Sequence, residues 1–268
     1  MPAQNLPGLM LDRSHPLARG LVGWWPLNEG GGTRVADVGS YQNPGAFGNI
    51  TPSSTSGWSG GPHGRAVRFD GSDDIISVPH SASLALTGDM SACAWVNVTS
   101  VANYRSVLIK GNGGAGYPAP FQITVGVTYS EISANFGNGS SQATVDSYPD
   151  TAVPLNQWTF IAATRLGSNV WLYMNGRMVK AGSIGAQAVT DAGTALGIGS
   201  RTPGTAYPML GGIANVRLYN RALSASEVAQ LYAEPLAGAL APLRAARFYV
   251  RGFKAAWASR SNQIIGGG

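Results

Sequence analysis

The chain has 268 residues, of which 12% are charged and 37 are glycine. Charged residues are at about half, and glycine at about twice, their usual share, so the composition excludes a mainly helical protein and favours many short strands and turns. Of the 18 Lys and Arg residues, five follow Pro235, where there is no acidic residue; residues 1–235 therefore carry 13 basic and 13 acidic groups, which argues against the continuous cationic face that nucleic-acid binding needs.

The single cysteine and the lack of long apolar segments argue against an internal disulfide, an export signal and a membrane span. Cys93 cannot form an internal disulfide and lies in a strand-like run, where a small apolar core residue is expected. Residues 1–20 hold no apolar segment of secretory type, and no window reaches the roughly 18 apolar residues of a membrane span. We therefore expect synthesis in the cytoplasm and no membrane partner.

The N-terminal third predicts an arm, an edge strand and a long loop. Residues 1–20 show no hydrophobic period and are interpreted as the arm, and Pro26 confines the strand at 21–27 to a sheet edge or a strand terminus. Residues 38–64 are rich in Gly, Ser, Pro and Asn and predict a long ordered loop pinned by isolated aromatics. Two strands follow around an acidic turn, at 66–69 and 74–78.

The clearest signal in the chain is a three-stranded meander at 157–180. Runs of aromatic and β-branched residues at 158–164 and 170–174 flank a turn cluster, and the second run ends at Asn175-Gly176. Both of these residues tolerate positive φ, so they predict a type I′ turn between two strands. Further strands are predicted at 91–98, 105–110, 121–128, 132–136, 196–199 and 213–219.

One helix is clearly signalled, near residue 224. Ser224 and Glu227 form a capping box, and Leu223 and Val228 can form a hydrophobic staple, so the helix is expected to run to about Glu234. The fold class is therefore all-β: a two-sheet antiparallel sandwich with one short C-terminal helix and extended terminal arms. We divide the chain into an N-terminal arm (1–20), a sandwich domain (21–234) and a basic, aromatic-containing C-terminal arm (235–268).

Four segments, at 21–30, 68–79, 158–176 and 212–224, carry a family resemblance. They read LVGWWPLNEG, RFDGSDD…SVP, W…YMNG and GI…VRLYNRALS. Together and in this order they resemble the laminin G-like, concanavalin A-like lectin/glucanase group. The resemblance implies a jelly roll with one concave sheet, used mostly to bind glycans or proteins, and sometimes a bound calcium ion. The chain departs from the family at Ala214-Asn215, in place of the usual acidic pair, and at Asn175, in place of the usual Asp.

The acidic residues do not predict catalysis. Glycoside hydrolysis needs two carboxylates about 5–10 Å apart, and related glucanases carry them on alternate residues of one strand. None of the four glutamates, Glu29, Glu131, Glu227 and Glu234, has an acidic neighbour two residues away. We therefore assign no catalytic residue and expect no enzyme.

Asp70, Asp73 and Asp74 form the one acidic cluster in the sequence. Calcium takes several hard oxygen ligands, and a loop with two or three carboxylates can supply them. The alternative is that these residues bond their own backbone as turn formers and need no metal. Asp73 and Asp74 are the candidate calcium ligands, and no other cofactor is expected.

Ligand contacts are predicted from aromatic and polar residues in loops. Such side chains stack on sugar rings and hydrogen-bond sugar hydroxyls, although loop aromatics also serve to cover sheet edges. The candidate ligand-binding residues are Trp58, Tyr104, Asn112, Tyr117, Arg201 and Tyr207.

The C-terminal arm interleaves basic and aromatic residues. This pattern suits contact with nucleic acid or an acidic protein surface. The alternative is a partly disordered, solvated end, although the apolar content is high for a free tail. Residues 255–268 are also similar to the C-termini of phage and environmental viral structural proteins. The candidate attachment residues are Arg244, Arg247, Phe248, Arg251, Lys254 and Trp257.

The sequence therefore predicts a non-catalytic binding or structural module on a virion surface, for capsid decoration or adhesion, made in the cytoplasm. Its expected partners are proteins of a larger assembly such as a capsid, copies of itself in a homo-oligomer, and glycans. The alternatives are a free, extracellular carbohydrate-binding module and a glucanase-like hydrolase or lyase.

Overall fold

A computed structural model describes residues 9–101, 104–111, 120–126, 130–201 and 206–240. These residues form 18 strands and one α-helix, α1 (Ala225–Ala233). The first strands are β1 (Met10–Leu11), β2 (Leu21–Trp25), β3 (Arg34–Val35), β4 (Gly45–Gly48), β5 (Gly57–Gly61), β6 (Gly64–Asp70), β7 (Ile75–Val78), β8 (Met90–Val98) and β9 (Arg105–Lys110). The others are β10 (Phe121–Val125), β11 (Ile132–Gly137), β12 (Gln142–Asp146), β13 (Thr159–Leu166), β14 (Asn169–Met174), β15 (Arg177–Ser183), β16 (Leu196–Ile198), β17 (Leu210–Tyr219) and β18 (Ala239–Leu240).

The strands build two eight-stranded sheets and a small ribbon. One sheet, here called the helix-side sheet, has the order β15-β14-β13-β8-β17-β6-β5, with β2 also paired to β17. The other, the opposite sheet, has the order β12-β11-β10-β9-β16-β7-β4-β3. Every pair of described strands is antiparallel. The predicted all-β antiparallel sandwich is confirmed.

Alternation along the strands explains how the two sheets pack. In β8, Ala94 and Val96 face the main core between the sheets, while Cys93 and Trp95 face outward. The outward residues belong to a second apolar cluster with Leu17 and residues of α1. The helix-side sheet is therefore buried on both faces, which accounts for its nearly continuous apolar runs. Burial raises the pKa of the Cys93 thiol to about 12, in accord with its expected role as a core residue.

The two strongest local predictions are confirmed. Asn175 and Gly176 have φ values of 49° and 77° and close the hairpin between β14 and β15, and the Asn175 side chain accepts a bond from the Phe160 amide. Ser224 and Glu227 form both bonds of the capping box. Arg221 also donates to both carboxylate oxygens of Glu227 at 2.7 and 2.9 Å, and these bonds lower the pKa of Glu227.

The predicted long loop at 38–64 is wrong, because this segment contains β4 and β5. Both strands are rich in glycine, a composition that strand patterns count against. The glycines permit close approach: a Cβ at Gly45 would lie 2.8 Å from the Ile76 side chain. Phe47 of β4 and Trp58 of β5 then pack against each other with ring centroids 5.2 Å apart.

The described parts of both predicted arms pack on the domain. β1 pairs with β18, and Leu17 is buried in the second apolar cluster. Arg217 stacks on Trp24, with its guanidinium carbon 3.7 Å from the ring centroid, and donates to two carbonyl groups of the C-terminal segment. The domain boundaries at residues 20 and 234 stay a prediction. Among the described residues, no helix has the length and hydropathy needed to cross a membrane.

Candidate functional site

The outer face of the opposite sheet is polar over β10, β11 and β12; on β9 it carries Ser106 but also the buried apolar Ile109, which pairs with Gln122. In β10, Ile123 and Val125 face the main core, so the alternate residues Gln122 and Thr124 point outward. The strand register extends this pattern across neighbouring strands in two rows, which we call the polar face. The rows are Ser106, Thr124, Ser133 and Asp146, and then Gln122, Asn135 and Thr144.

Several side chains of the polar face are buried, and two lack partners. Ser106 and Thr124 lie opposite each other on β9 and β10 and are 0% and 1% exposed. Neither the Ser106 Oγ nor the Thr124 Oγ1 has a hydrogen-bond partner in the described structure, whereas Thr144 donates to Asn135 Oδ1 at 2.6 Å. A buried unpaired hydroxyl costs about 1–3 kcal/mol. Neither hydroxyl is open to solvent, so a ligand supplies their missing partners only by displacing the groups that cover them.

Two exposed tyrosines stand beside the unpaired hydroxyls. The Tyr207 carbonyl accepts from the Ser106 amide at 2.8 Å, and Tyr104 precedes β9 directly. The two rings meet edge to face at 5.8 Å, and the Arg201 guanidinium lies 5.7 Å from the Tyr207 ring centroid. Tyr207 has a φ of 56°, which is uncommon for a bulky residue and occurs mainly where surrounding structure enforces it. The structure thus brings together three of the predicted ligand-binding residues.

An acidic residue lies on the same face, next to the Ser106–Thr124 row. A Cβ at Gly126 would collide with the Glu131 carboxylate, so that carboxylate occupies the space above this glycine. Asp146 of β12 pairs with Ser133, two residues along from Glu131. Glu131, which directly precedes β11, and Asp146 of β12 therefore lie on one face of the opposite sheet. Examining single strands for alternate acids could not reveal this pair, because the register of β11 and β12 creates it.

The other predicted ligand residues are placed differently. Trp58 lies in β5 at the edge of the helix-side sheet, packs on Phe47, and donates its indole N–H to the Gly32 carbonyl at 2.8 Å. It is not part of the group formed by Tyr104, Tyr207 and Arg201. Asn112 and Tyr117 lie outside the described residues, as do the predicted attachment residues Arg244, Arg247, Phe248, Arg251, Lys254 and Trp257.

The predicted calcium ligands lie in a tight acidic turn. One carboxylate oxygen each from Asp70, Asp73 and Asp74 lies within 4.8 Å of the others. Asp74 is buried, and its Oδ2 accepts from Ser56 Oγ at 2.6 Å and from the Asp70 amide at 2.9 Å. Desolvation raises the pKa of Asp74, and the two neighbouring carboxylates act in the same direction. The oxygen ligands suit a hard cation, but these bonds also close the turn without one, so calcium stays a prediction.

Comparisons with known proteins identify the fold. A family model described as the concanavalin A-like lectin/glucanases superfamily matches residues 70–229. A search of curated proteins by sequence gave no match.

Solved structures that resemble the chain include sugar-binding and toxin domains. Domain 4 of AbnA, an extracellular arabinanase from Geobacillus stearothermophilus, was solved in complex with arabinotriose; it has a TM-score of 0.61 and 19% identity over 79% of this chain and 98% of its own. The binding domain of Paraclostridial Mosquitocidal Protein 1 has a TM-score of 0.60 and 15% identity over 81% of this chain and 52% of its own. Trypanosoma rangeli sialidase, in complex with sialic acid, has a TM-score of 0.57 and 17% identity over 80% of this chain and 32% of its own. The chain thus spans about half of the toxin domain, and at these identities the likeness shows the fold.

Proposed function

Because the chain belongs to the concanavalin A-like lectin/glucanases superfamily, we propose that it is a non-catalytic binding module that holds a carbohydrate on its polar face. The observation that carries the proposal is the exposed pair of Tyr104 and Tyr207 rings with the Arg201 guanidinium, at the edge of the polar face that holds the buried, unpartnered hydroxyls of Ser106 and Thr124. The arabinotriose complex of a similarly folded domain supports it.

The chemistry of the polar face matches that of a sugar. Hydroxyl groups both donate and accept, so the Ser106 and Thr124 hydroxyls can each bond a sugar hydroxyl in either direction. Tyrosine rings offer flat apolar surface for the C–H face of a sugar ring, with a hydroxyl at the outer end. The guanidinium of Arg201 adds hydrogen-bond donors beside the Tyr207 ring.

A glycan array tests this proposal. The wild-type chain should bind at least one class of glycan, and Tyr104→Ala and Tyr207→Ala should each weaken that binding roughly tenfold through lost stacking. Tyr41→Ala is the matched control, because Tyr41 is an exposed tyrosine outside the opposite sheet. A silent array with folded protein, or equal loss with the control, would overturn the proposal.

We further propose that the module is displayed on a virion surface as a homo-oligomer and attaches through residues 241–268. The weakly charged body and the basic, aromatic tail support this setting, as does the similarity of residues 255–268 to viral structural proteins. Removing residues 241–268 leaves β18 in place and should abolish co-sedimentation with particles while the domain stays folded. A truncated chain that still co-sediments contradicts the attachment role, and a full-length chain that never does favours a free, secreted module.

A second candidate function is glycoside hydrolysis, which Glu131, directly before β11, and Asp146 of β12 favour by sharing one face of the opposite sheet. Two carboxylates flanking a bound sugar are the usual requirement for this reaction. The test is release of reducing ends from any glycan that the array identifies. A binding module should release none. Release that disappears in both Glu131→Gln and Asp146→Asn would make the chain a hydrolase.

A further inference from the structure

A separate groove lies on the outer face of the helix-side sheet, at the end where β8 finishes and β17 begins. It is open, has a volume of about 320 Å³, and is lined by residues of β5, β6, β8 and β17 together with Trp158, which directly precedes β13. The groove lies on a different sheet from the polar face, and its residues were not among the predicted ligand contacts.

An aromatic platform forms the centre of the groove. Gly212 of β17 pairs with Arg68 on one side and with Asn97 on the other, so all three positions share one face. A Cβ at Gly212 would lie 2.7 Å from the Trp158 ring, so the indole rests directly on the glycine backbone. The half-buried indole therefore packs on the backbone between the positions of Arg68 and Asn97.

The polar groups beside the platform are largely free. Arg68 is exposed, and its one bond within the described chain is a long one from Nη1 to the Ser54 carbonyl at 3.3 Å. The side-chain amides of Asn97 and Asn156 line the groove without a bond to any described residue. These groups offer both donors and acceptors around a flat ring, which is the arrangement that fixes the orientation of a small polar ligand.

The charges around the groove favour an uncharged ligand. The described lining contains one cation, Arg68, and no carboxylate. However, Asp70 follows Arg68 by two residues in β6, and the acidic turn with Asp73 and Asp74 comes directly after it. Because Asp70 lies on the same face of β6 as Arg68, its carboxylate would oppose a negatively charged ligand bound there.

We propose that this groove is a second carbohydrate site, which takes a neutral pyranose with equatorial hydroxyls. The axial C–H face of such a sugar is flat and stacks on Trp158, while its equatorial hydroxyls point outward to Arg68 and Asn97. The two sites lie on the two outer faces of the sandwich, and the groove site does not depend on the polar face.

Cellotetraose and its C6-oxidised counterpart are suitable probes, because they differ only at C6, where an uncharged hydroxymethyl group becomes a carboxylate. Titration calorimetry with the full chain should show binding of cellotetraose at least as tight as binding of the carboxylated form. Trp158→Ala should weaken it at least tenfold through loss of the platform. Arg68→Gln and Asn97→Ala, which are surface changes that keep the fold, should each weaken it roughly fivefold, as expected for one hydrogen bond.

Trp171→Ala is the matched control, since Trp171 is another half-buried tryptophan, in β14 of the same sheet. The groove site is overturned if cellotetraose does not bind, if the carboxylated probe binds more tightly, or if Trp171→Ala weakens binding as much as Trp158→Ala. Thr124→Val distinguishes the two sites. If Thr124→Val loses cellotetraose binding and Arg68→Gln keeps it, the sugar binds on the polar face and the groove is not a carbohydrate site.

Discussion

Arg217 is a buried cation whose described partners are all uncharged. It stacks on Trp24, and its two terminal nitrogens each donate at 2.8 Å, to the Pro235 and Ala237 carbonyls. The Asn215 side chain also binds Pro235 and accepts from the Trp24 indole at 2.6 Å. In the family, an acidic pair usually precedes the Val-Arg motif; here Ala214 and Asn215 stand there, and a neutral amide helps to hold the C-terminal segment.

Replacing Arg217 by lysine should destabilise the domain. A lysine ammonium cannot stack as a plane on Trp24, and its single nitrogen replaces the two that bond Pro235 and Ala237, so the stacking and at least one of these two bonds are lost, at a cost of about 1–3 kcal/mol. Chemical denaturation measures the loss, and Arg177→Lys, at an exposed position, is the control. Equal stability of the two variants would contradict the anchoring role of Arg217.

Asp74 makes stability depend on pH. Its pKa is raised in the folded state, so its contribution is favourable below the usual carboxyl pKa and is lost as the pH rises through the raised value. Asp74→Asn removes this titration and can keep the bonds from Ser56 and the Asp70 amide. We expect the variant to gain stability relative to wild type as the pH increases from about 3 to about 7. A stability difference that is constant, or that shrinks with pH, would contradict this sign.

Calcium binding at the acidic turn can be tested with the same variant. If the ion binds, its addition should raise the melting temperature of the wild type by mass action, and a chelator should reverse the effect. Asp74→Asn should respond little. Identical melting curves with calcium and with chelator would show that Asp70, Asp73 and Asp74 serve only as turn formers.

The sequence identified some residues of the candidate sites and missed others. Tyr104, Arg201 and Tyr207 were identified as polar-aromatic loop residues, and the structure brings them together. The Ser106 and Thr124 hydroxyls could not be identified, because an unpaired group is a property of three-dimensional surroundings and the two residues are ordinary strand residues in sequence. Trp158 was assigned to a strand, but its groove arises only where four strands meet.

At the scale of elements, the β14–β15 hairpin and α1 support each other. Gly176 has a φ of 77°, and a Cβ there would lie 3.1 Å from Tyr232 and 3.3 Å from the Ala229 Cα in α1. The tight turn therefore fits against the helix because it carries glycine. Tyr232 in turn stacks on Trp95 of β8 at a centroid distance of 5.6 Å.

Gly176→Ala should be more damaging than an alanine at a comparable but open turn. It adds a backbone cost of about 1 kcal/mol at positive φ and also forces α1 away from the hairpin. Gly185→Ala is the control, because Gly185 has a φ of 57° and nothing lies near its Cβ position. The loss of unfolding free energy in Gly176→Ala minus the loss in Gly185→Ala measures the contact between the turn and α1. Equal losses in the two variants would contradict the importance of that contact.

Elements with strong local signals were predictable, and glycine-rich strands were not. The Asn175-Gly176 turn and the Ser224 capping box are fixed by backbone and side-chain preferences within a few residues. By contrast, β4 and β5 form because their glycines allow neighbouring strands to approach, and this reason depends on residues far along the chain.

At the scale of the whole molecule, the two outer faces of the sandwich differ. The helix-side sheet is covered over much of its outer face by α1 and by the segments at 9–20 and 235–240, and the groove around Trp158 lies at one end of it. The opposite sheet instead carries the polar face. The family resemblance predicted a binding sandwich. That Ser106 and Thr124 share one outer face follows from strand register, which the sequence does not display.

Thr124 and Thr164 allow the most direct test of the polar face. Each has a buried Oγ1 without a partner in the described chain, but Thr124 lies on the polar face and Thr164 on the helix-side sheet. Replacing either by valine should keep or raise stability by about 1 kcal/mol, because an unpaired buried hydroxyl is removed.

The deciding measurement is the affinity of Thr124→Val and Thr164→Val for the glycan bound most strongly on the array, with unfolding free energies measured in parallel. We expect both variants to be at least as stable as the wild type, and only Thr124→Val to lose affinity, by roughly fivefold or more. Unchanged affinity in Thr124→Val, or an equal loss in Thr164→Val, would contradict carbohydrate binding on the polar face.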